Sequence, residues 1–342
     1  MSKRLLSLTL IPALSLLLLA NRSVRDSYDL KPQVEAGQKL AFNFEMSGTF
    51  ELADAEITIG PDTLPEAPIV DVEFSMSHGA DVEILTAKDG EAQSARLKIT
   101  DDANSFSGEA SMMGTSQTFG ETGEAKMLGH TILIEKDEEG EITVSDVSDE
   151  EGLEPLSDED MDGFDLENHF SVILPEGPVA VGESWDIGER ALKLIRDGMK
   201  KDGGTSESDA EEFEKVMSLL SSSSEVEFTG TLQSVEGTSA NIVWSATFTL
   251  DQLDLLNFAR EMGAGAELDE MPVQDLEMLG SSSVELSGKG VFDLEAHQLT
   301  SFSLEGEYTF DLEGSASAEG MEFQMSSEFE GTLEMSGGTT PE

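Results

Sequence analysis

The stretch Met321-Glu322-Phe323-Gln324-Met325-Ser326-Ser327-Glu328-Phe329-Glu330-Gly331-Thr332-Leu333-Glu334 decides the fold. Met321, Phe323, Met325, Phe329 and Leu333 alternate with Glu322, Gln324, Ser326, Glu328, Glu330, Thr332 and Glu334. A period of two places successive side chains on opposite faces, so this is a strand with one oily face and one acidic face, and the acidic face must meet water.

The same alternation extends outward along the chain. It recurs in Ile242, Trp244, Ala246, Phe248 and Leu250, in Val284 with Leu286, in Phe292 with Leu294, and in Phe302, Leu304, Tyr308, Phe310 and Leu312. Nearer the amino terminus it appears in Leu40, Phe42, Phe44 and Met46, in Val72, Phe74 and Met76, and in Val82 with Ile84 and Leu97 with Ile99. Turn signals such as Asp89-Gly90 separate the runs, which predicts an antiparallel meander. Residues 131–135 and 141–144 flank Glu138-Glu139-Gly140 and read as a hairpin.

Two stretches depart from this pattern. Acidic residues dominate from Ser145 to Glu167, and isolated apolar residues there cannot build a core. Beyond it, Asp186 with Glu189 and Ser208 with Glu211 resemble capping boxes. Ile187, Ala191, Leu194, Ile195 and Met199 follow the first at helical spacing, and Phe213, Val216, Met217, Leu219 and Leu220 follow the second.

A sheet with one apolar face must bury it. The fold class expected is therefore mainly β (α+β), a long curved antiparallel sheet, half-barrel-like, packed on two amphipathic helices. A two-sheet sandwich is the alternative. The segments expected are a signal peptide (1–20), a polar leader (21–36), an amino-terminal β meander (37–145), an acidic linker (146–168), a helical hairpin with the carboxy-terminal meander (169–335) and a disordered tail (336–342).

Charge narrows the partners. The 342 residues hold 71 Asp plus Glu against 19 Lys plus Arg, a net charge of -52. Such a surface repels nucleic acids and anionic membranes and suits divalent cations or basic partners. No cysteine is present, so disulfides, thiolate chemistry and amino-terminal lipidation on cysteine are excluded. Lys3 and Arg4 precede an apolar run from Leu5 to Leu19 that ends at Ala20, the anatomy of a signal peptide. Leu18 and the following Arg22 and Arg25 suit cleavage poorly, so an uncleaved anchor is the alternative. Either way the expected location is outside the cytoplasm, in the periplasm, cell envelope or medium of a bacterium, with no further transmembrane segment.

Motifs for catalysis are lacking. His78, His130, His169 and His297 show no ligand spacing, and no nucleophile elbow, P-loop or dinucleotide fingerprint occurs. With 71 carboxylates, chance pairs are guaranteed and none is nominated as catalytic. No enzyme activity is expected. One run has metal-like spacing: Asp158, Asp160, Asp162 and Gly163 fall at positions 1, 3, 5 and 6 of a calcium loop, with Glu167 able to add oxygen. Position 12 is His169 rather than a bidentate Glu, so weak calcium binding competes with a plain solvated acidic linker. No other cofactor is expected.

The segment Leu174-Pro175-Glu176-Gly177-Pro178-Val179-Ala180-Val181-Gly182-Glu183-Ser184-Trp185 resembles a family of uncharacterised exported bacterial β-rich proteins that share a Leu-Pro…Pro-Val-x-Val-Gly-Asp/Glu-x-Trp segment. More remotely the chain looks like curved-sheet carriers of lipid or lipoprotein acyl chains in the periplasm. The resemblance implies a β-rich fold and transfers no catalytic residue. The segment also has a structural reading: Pro178 fixes one φ, Gly182 permits a tight turn and Trp185 caps the apolar layer. The function expected is non-catalytic binding of an apolar ligand, a lipid or acyl chain, in the concave face of the sheet. The alternative is an acidic structural or interaction protein of the envelope, associated with calcium.

Overall fold

Long uninterrupted alternation makes long strands. A computed structural model of the chain describes residues 26–60, 62–63, 68–112, 115–123, 125–150, 152–161, 164–166, 169–191, 193, 224–256, 274–318 and 321–341. The strands in chain order are β1 (Ser27–Tyr28), β2 (Lys39–Ile59), β3 (Asp62–Thr63), β4 (Ile69–Lys88), β5 (Glu91–Met112), β6 (Thr115–Thr122), β7 (Thr131–Lys136) and β8 (Ile142–Asp146). They continue as β9 (Val179–Ala180), β10 (Ser184–Asp186), β11 (Ser224–Glu236), β12 (Ser239–Asp254), β13 (Gln274–Asp293), β14 (Gln298–Ala318) and β15 (Met321–Pro341). β2, β4, β5, β13, β14 and β15 each run 20 to 22 residues. A mean strand is about 5–6 residues.

Among the described residues one 13-stranded antiparallel sheet runs in the order β10-β11-β12-β13-β14-β15-β2-β4-β5-β7-β8, with β3 beside β2 and β6 beside β5. The terminal strands β10 and β8 do not pair, so the sheet is open. β15 lies against β2 from Phe323 opposite Ile59 to Pro341 opposite Leu40. That pairing zips the last strand to the first long one and joins the two meanders edge to edge. The expected tail at 336–342 is thus corrected through Pro341, because Thr339 and Thr340 continue the ladder opposite Phe42 and Ala41. The single sheet likewise replaces the sandwich alternative.

The runs 72–76 and 82–84 belong to one strand. Gly79 sits inside β4 at a register shift, its Cα hydrogens facing Thr100 and Asp101 on β5, and does not turn the chain. Asp89 and Gly90 do turn it, with φ of 54° and 82°, the left-handed pair that a two-residue hairpin requires.

One end of the sheet is covered. A 3-10 turn at His169–Ile173 and the segment from Tyr28 to Gln33 lie over β11–β14, burying Leu30, Leu174, Leu232, Ile242, Phe292 and Leu299 completely or nearly so. Phe170 bridges Phe42 and Phe302, with centroids 5.6 and 4.9 Å away. The leader is clamped by hydrogen bonds from Gln33 N–H to the His297 carbonyl, from Val34 N–H to the Gly90 carbonyl and from Gln298 Nε2 to the Gln33 carbonyl.

The two amphipathic helices are not supported. Among the described residues helix is limited to α1 (Asp158–Met161), the 3-10 turn and short starts at 188–191 and 255–256. Ala191 N–H reaches the Ile187 carbonyl at 2.9 Å, a single helical turn at the start of the expected first helix. Its remainder past residue 193, all of 208–220 and the signal segment lie outside the described residues.

Candidate functional site: the apolar face of the sheet

Register brings the alternating residues into rows across the strands. One row runs Val284, Tyr308, Gly331, Phe50, Val72, Gly108 and Phe119, each directly opposite the next. A neighbouring row runs Leu286, Gly306, Leu333, Gly48, Phe74 and Phe106. Large side chains thus alternate with glycines along the hydrogen-bonding direction. The glycines are slots: a Cβ on Gly48 would stand 2.6 Å from Phe74 Cζ, and one on Gly331 2.3 Å from Tyr308 Cζ. Each ring lies flat over the bare backbone of its neighbour, the device by which aromatics rescue glycines in sheets.

The rings also stack on one another. Phe50 lies 4.7 Å from Phe329 and 6.2 Å from Tyr308, and Phe106 lies 5.7 Å from Phe119. Such pairs contribute about 0.5–1.5 kcal/mol each beyond their buried area. The Tyr308 hydroxyl donates to the Thr49 carbonyl at 2.6 Å, and burial pushes its pKa up. The outcome is a tile of rings and aliphatic chains, most of them half-buried, with Val72 buried at its centre.

Phe50, Phe74, Phe106, Phe329 and Leu333 lie outside the core cluster that the 3-10 turn and the Tyr28–Gln33 segment cover. Phe106 stays 46% exposed and Phe119 37%. At the border with the covered half, the row Phe302, Gly337, Phe44, His78 and Asp102 ends in polar groups. His78 Nδ1 lies 3.4 Å from Asp102 Oδ1, and Asp102 also accepts the Met127 N–H at 3.0 Å. An apolar surface with one polar pair at its margin suits a chain-like hydrophobe with a polar head.

The opposite face is acidic. Glu330, Glu51, Asp71 and Glu109 stand directly opposite one another on β15, β2, β4 and β5, all exposed. Open depressions of about 300 and 350 Å³ lie on this side, lined by Asp54, Asp311 and Glu328 and by Glu56, Glu277 and Glu313. Among the described residues no group of three or more His, Asp or Glu is set to hold a metal ion.

Of the calcium candidates, Asp162 and Glu167 lie outside the described residues, and Asp158 lies in α1. Asp160 is engaged with protein donors. Hydrogen bonds from Lys126 Nζ and from the hydroxyl and N–H of Ser157 hold its pKa at about 2. Lys98 Nζ similarly meets Glu150 at 2.7 Å, raising the lysine pKa and lowering that of the glutamate. These two ion pairs moor the acidic stretch to the sheet edge.

A buried cluster escaped the sequence reading because its members are local and polar without motif spacing. His130, 2% exposed, places Nδ1 2.9 Å from Asp146 Oδ2 and 3.3 Å from Ser148 Oγ. Ser148 Oγ also donates to Asp146 and accepts the Thr131 N–H at 2.8 Å. Serine and aspartate converge on the same ring nitrogen, whereas a nucleophilic relay needs the hydroxyl on the other one. The cluster is a lock joining β7 to the end of β8. Burial alone would raise the Asp146 pKa, but the Ser148 hydroxyl and N–H and His130 together hold it below the usual aspartate value.

No protein-family model matches the chain, so the family resemblance is not shown beyond its β-rich character. No curated protein matches it in sequence. Among solved structures, the outer membrane protein OprG from Pseudomonas aeruginosa aligns over 90% of this chain and 97% of its own, with 7% identity and a TM-score of 0.20. An outer membrane channel from Pseudomonas putida F1 aligns over the same shares, with 8% identity and a TM-score of 0.16. OccK7 from Pseudomonas aeruginosa covers 88% of this chain and 99% of its own, with 6% identity and a TM-score of 0.17. The first two are outer membrane proteins and not periplasmic carriers. At such TM-scores the overlap carries no argument about fold or activity.

Proposed function

We propose that this is a non-catalytic protein exported to a bacterial envelope, which holds an apolar ligand, a lipid or acyl chain, against the far half of its apolar face. The observation that carries the reading is the aromatic tile, outside the covered core cluster, with His78 and Asp102 at its margin. Export rests on Lys3, Arg4 and the apolar run to Leu19. Mass spectrometry of organic extracts from the natively purified protein tests it, with protein unfolded and refolded without lipid as the control. A stoichiometric lipid in the native sample alone supports the reading. No extract, together with no shift of Tm by added palmitate, overturns it.

A second reading uses the other face. Four carboxylates in one cross-strand row favour a basic partner or divalent cations, as an acidic interaction protein of the envelope would require.

A further inference from the structure

We infer that a second copy of this chain closes the ligand site, with the far halves of the two apolar faces turned toward each other and the ligand between them. The inference rests on the proposed apolar-ligand reading. Ligand sites bury about 70–90% of the ligand surface, whereas a single open face covers about half of a chain lying on it. A second wall is required; another copy fits it in area, and its like charge stands far enough away to be screened.

Area comes first. On β14, β15, β2, β4 and β5 the apolar region outside the covered core cluster spans roughly ten residues of each strand. At about 3.3 Å per residue and about 4.8 Å per strand this gives roughly 800 Å² per copy, the size of a standard stable interface on each partner.

Charge comes second. Row geometry puts the carboxylates of Glu330, Glu51, Asp71 and Glu109 on the outward face. Directly packed sheets lie about 10 Å apart, a ligand between them widens the gap, and the outward side chains add about 5 Å on each side, so the two acidic surfaces stand at least ~20 Å apart. That is more than two Debye lengths at about 0.15 M salt (~8 Å) but less than one at about 0.01 M (~30 Å). The pair therefore forms at physiological salt and separates when salt is withdrawn. Edge-to-edge pairing would instead bring the acidic rows side by side.

The chain has no cysteine, so single reporters are clean. Ser327 lies on the apolar face and Ser326 on the acidic one. S327C and S326C, both mild changes, are compared with the unmodified full-length chain by sedimentation and maleimide labelling at about 0.15 and about 0.01 M NaCl, with palmitate as the ligand probe. The expected result is a dimer at the higher salt that falls to monomer at the lower. S327C should label about tenfold more slowly in the dimer, in step with the monomer fraction, and S326C equally in both. A monomer at 0.15 M that retains palmitate overturns the inference and leaves the ligand reading standing. A salt-dependent dimer that takes no palmitate supports the interface and removes the ligand. A monomer with S327C protected at both salts assigns the face to the chain's own undescribed segments and overturns the second copy.

Discussion

The indole N–H groups of Trp185 and Trp244 both donate to the carbonyl oxygen of Ile173, at 3.1 Å each. The two rings belong to β10 and β12 and flank Gly230 of β11, which pairs with both residues. One carbonyl thus ties the 3-10 turn to two strands, β10 and β12, on either side of β11. Losing either donor leaves the acceptor half satisfied, but losing both leaves it bare, which costs about 1–3 kcal/mol for a buried group. W185F and W244F should each destabilise by about 1 kcal/mol. The double variant should exceed their sum by about 0.5 kcal/mol or more in a urea-unfolding cycle. Additive losses would show that the carbonyl finds another donor.

Gly230 gives a second, independent check on that corner. A Cβ there would lie 2.4 Å from the Trp185 ring, so the indole must leave its place. G230A should lower stability by about 1–3 kcal/mol, the usual cost of overpacking. Gly177 has nothing within 4 Å of an added Cβ and no unusual φ, so G177A serves as the neutral control in the same thermal melt. Equal shifts for the two would refute the slot.

These corners show what sequence could and could not disclose. Period-two alternation at Ile242–Leu250 and Met321–Leu333 marked real strands and the side each residue faces, because pleat geometry is local. Trp185 and Gly182 also do what their types imply: the ring joins the apolar layer, and Gly182 turns at φ 81°. Strand length was not legible, since Gly79 and the Asp101-Asp102-Asn104 cluster look like turns until their partners across the ladder are known. Nor was the cover of the apolar face. Helices seemed necessary because a sheet with one apolar face must bury it, and only register shows a ring from the next strand lying over Gly48, Gly108 and Gly331. The same holds for β15 beside β2, a pairing between the two ends of the chain that no local pattern encodes.

The Asp146 lock makes stability depend on acid. Its folded pKa is lowered, so its contribution is fully present above the ordinary aspartate range and is lost as pH falls through the folded value. D146N should therefore be less stable than the parent at neutral pH. The gap should narrow once pH drops below about 4, where the unfolded-state aspartate becomes protonated. Chemical denaturation at stepped pH measures this. A gap constant down to about pH 2 would mean that the carboxylate charge plays no part in the lock.

The row of like charges predicts an opposite response, one in which removing a charged group strengthens the fold. Glu51 faces Glu330 on one side and Asp71 on the other, all three exposed. Like charges directly across a ladder each cost about 0.2–1 kcal/mol at low salt, and mobile ions shorten their reach. E51Q keeps the side-chain shape while deleting both repulsions. Its Tm should rise above the parent's at about 0.01 M NaCl, and the difference should shrink toward zero at about 1 M, where the Debye length is ~3 Å. The parent's own Tm should climb with salt over the same range. If E51Q instead lowers Tm at low salt, Glu51 must be bound to a cation that offsets its neighbours, and the acidic face would be an ion-binding surface and not merely a repelling one.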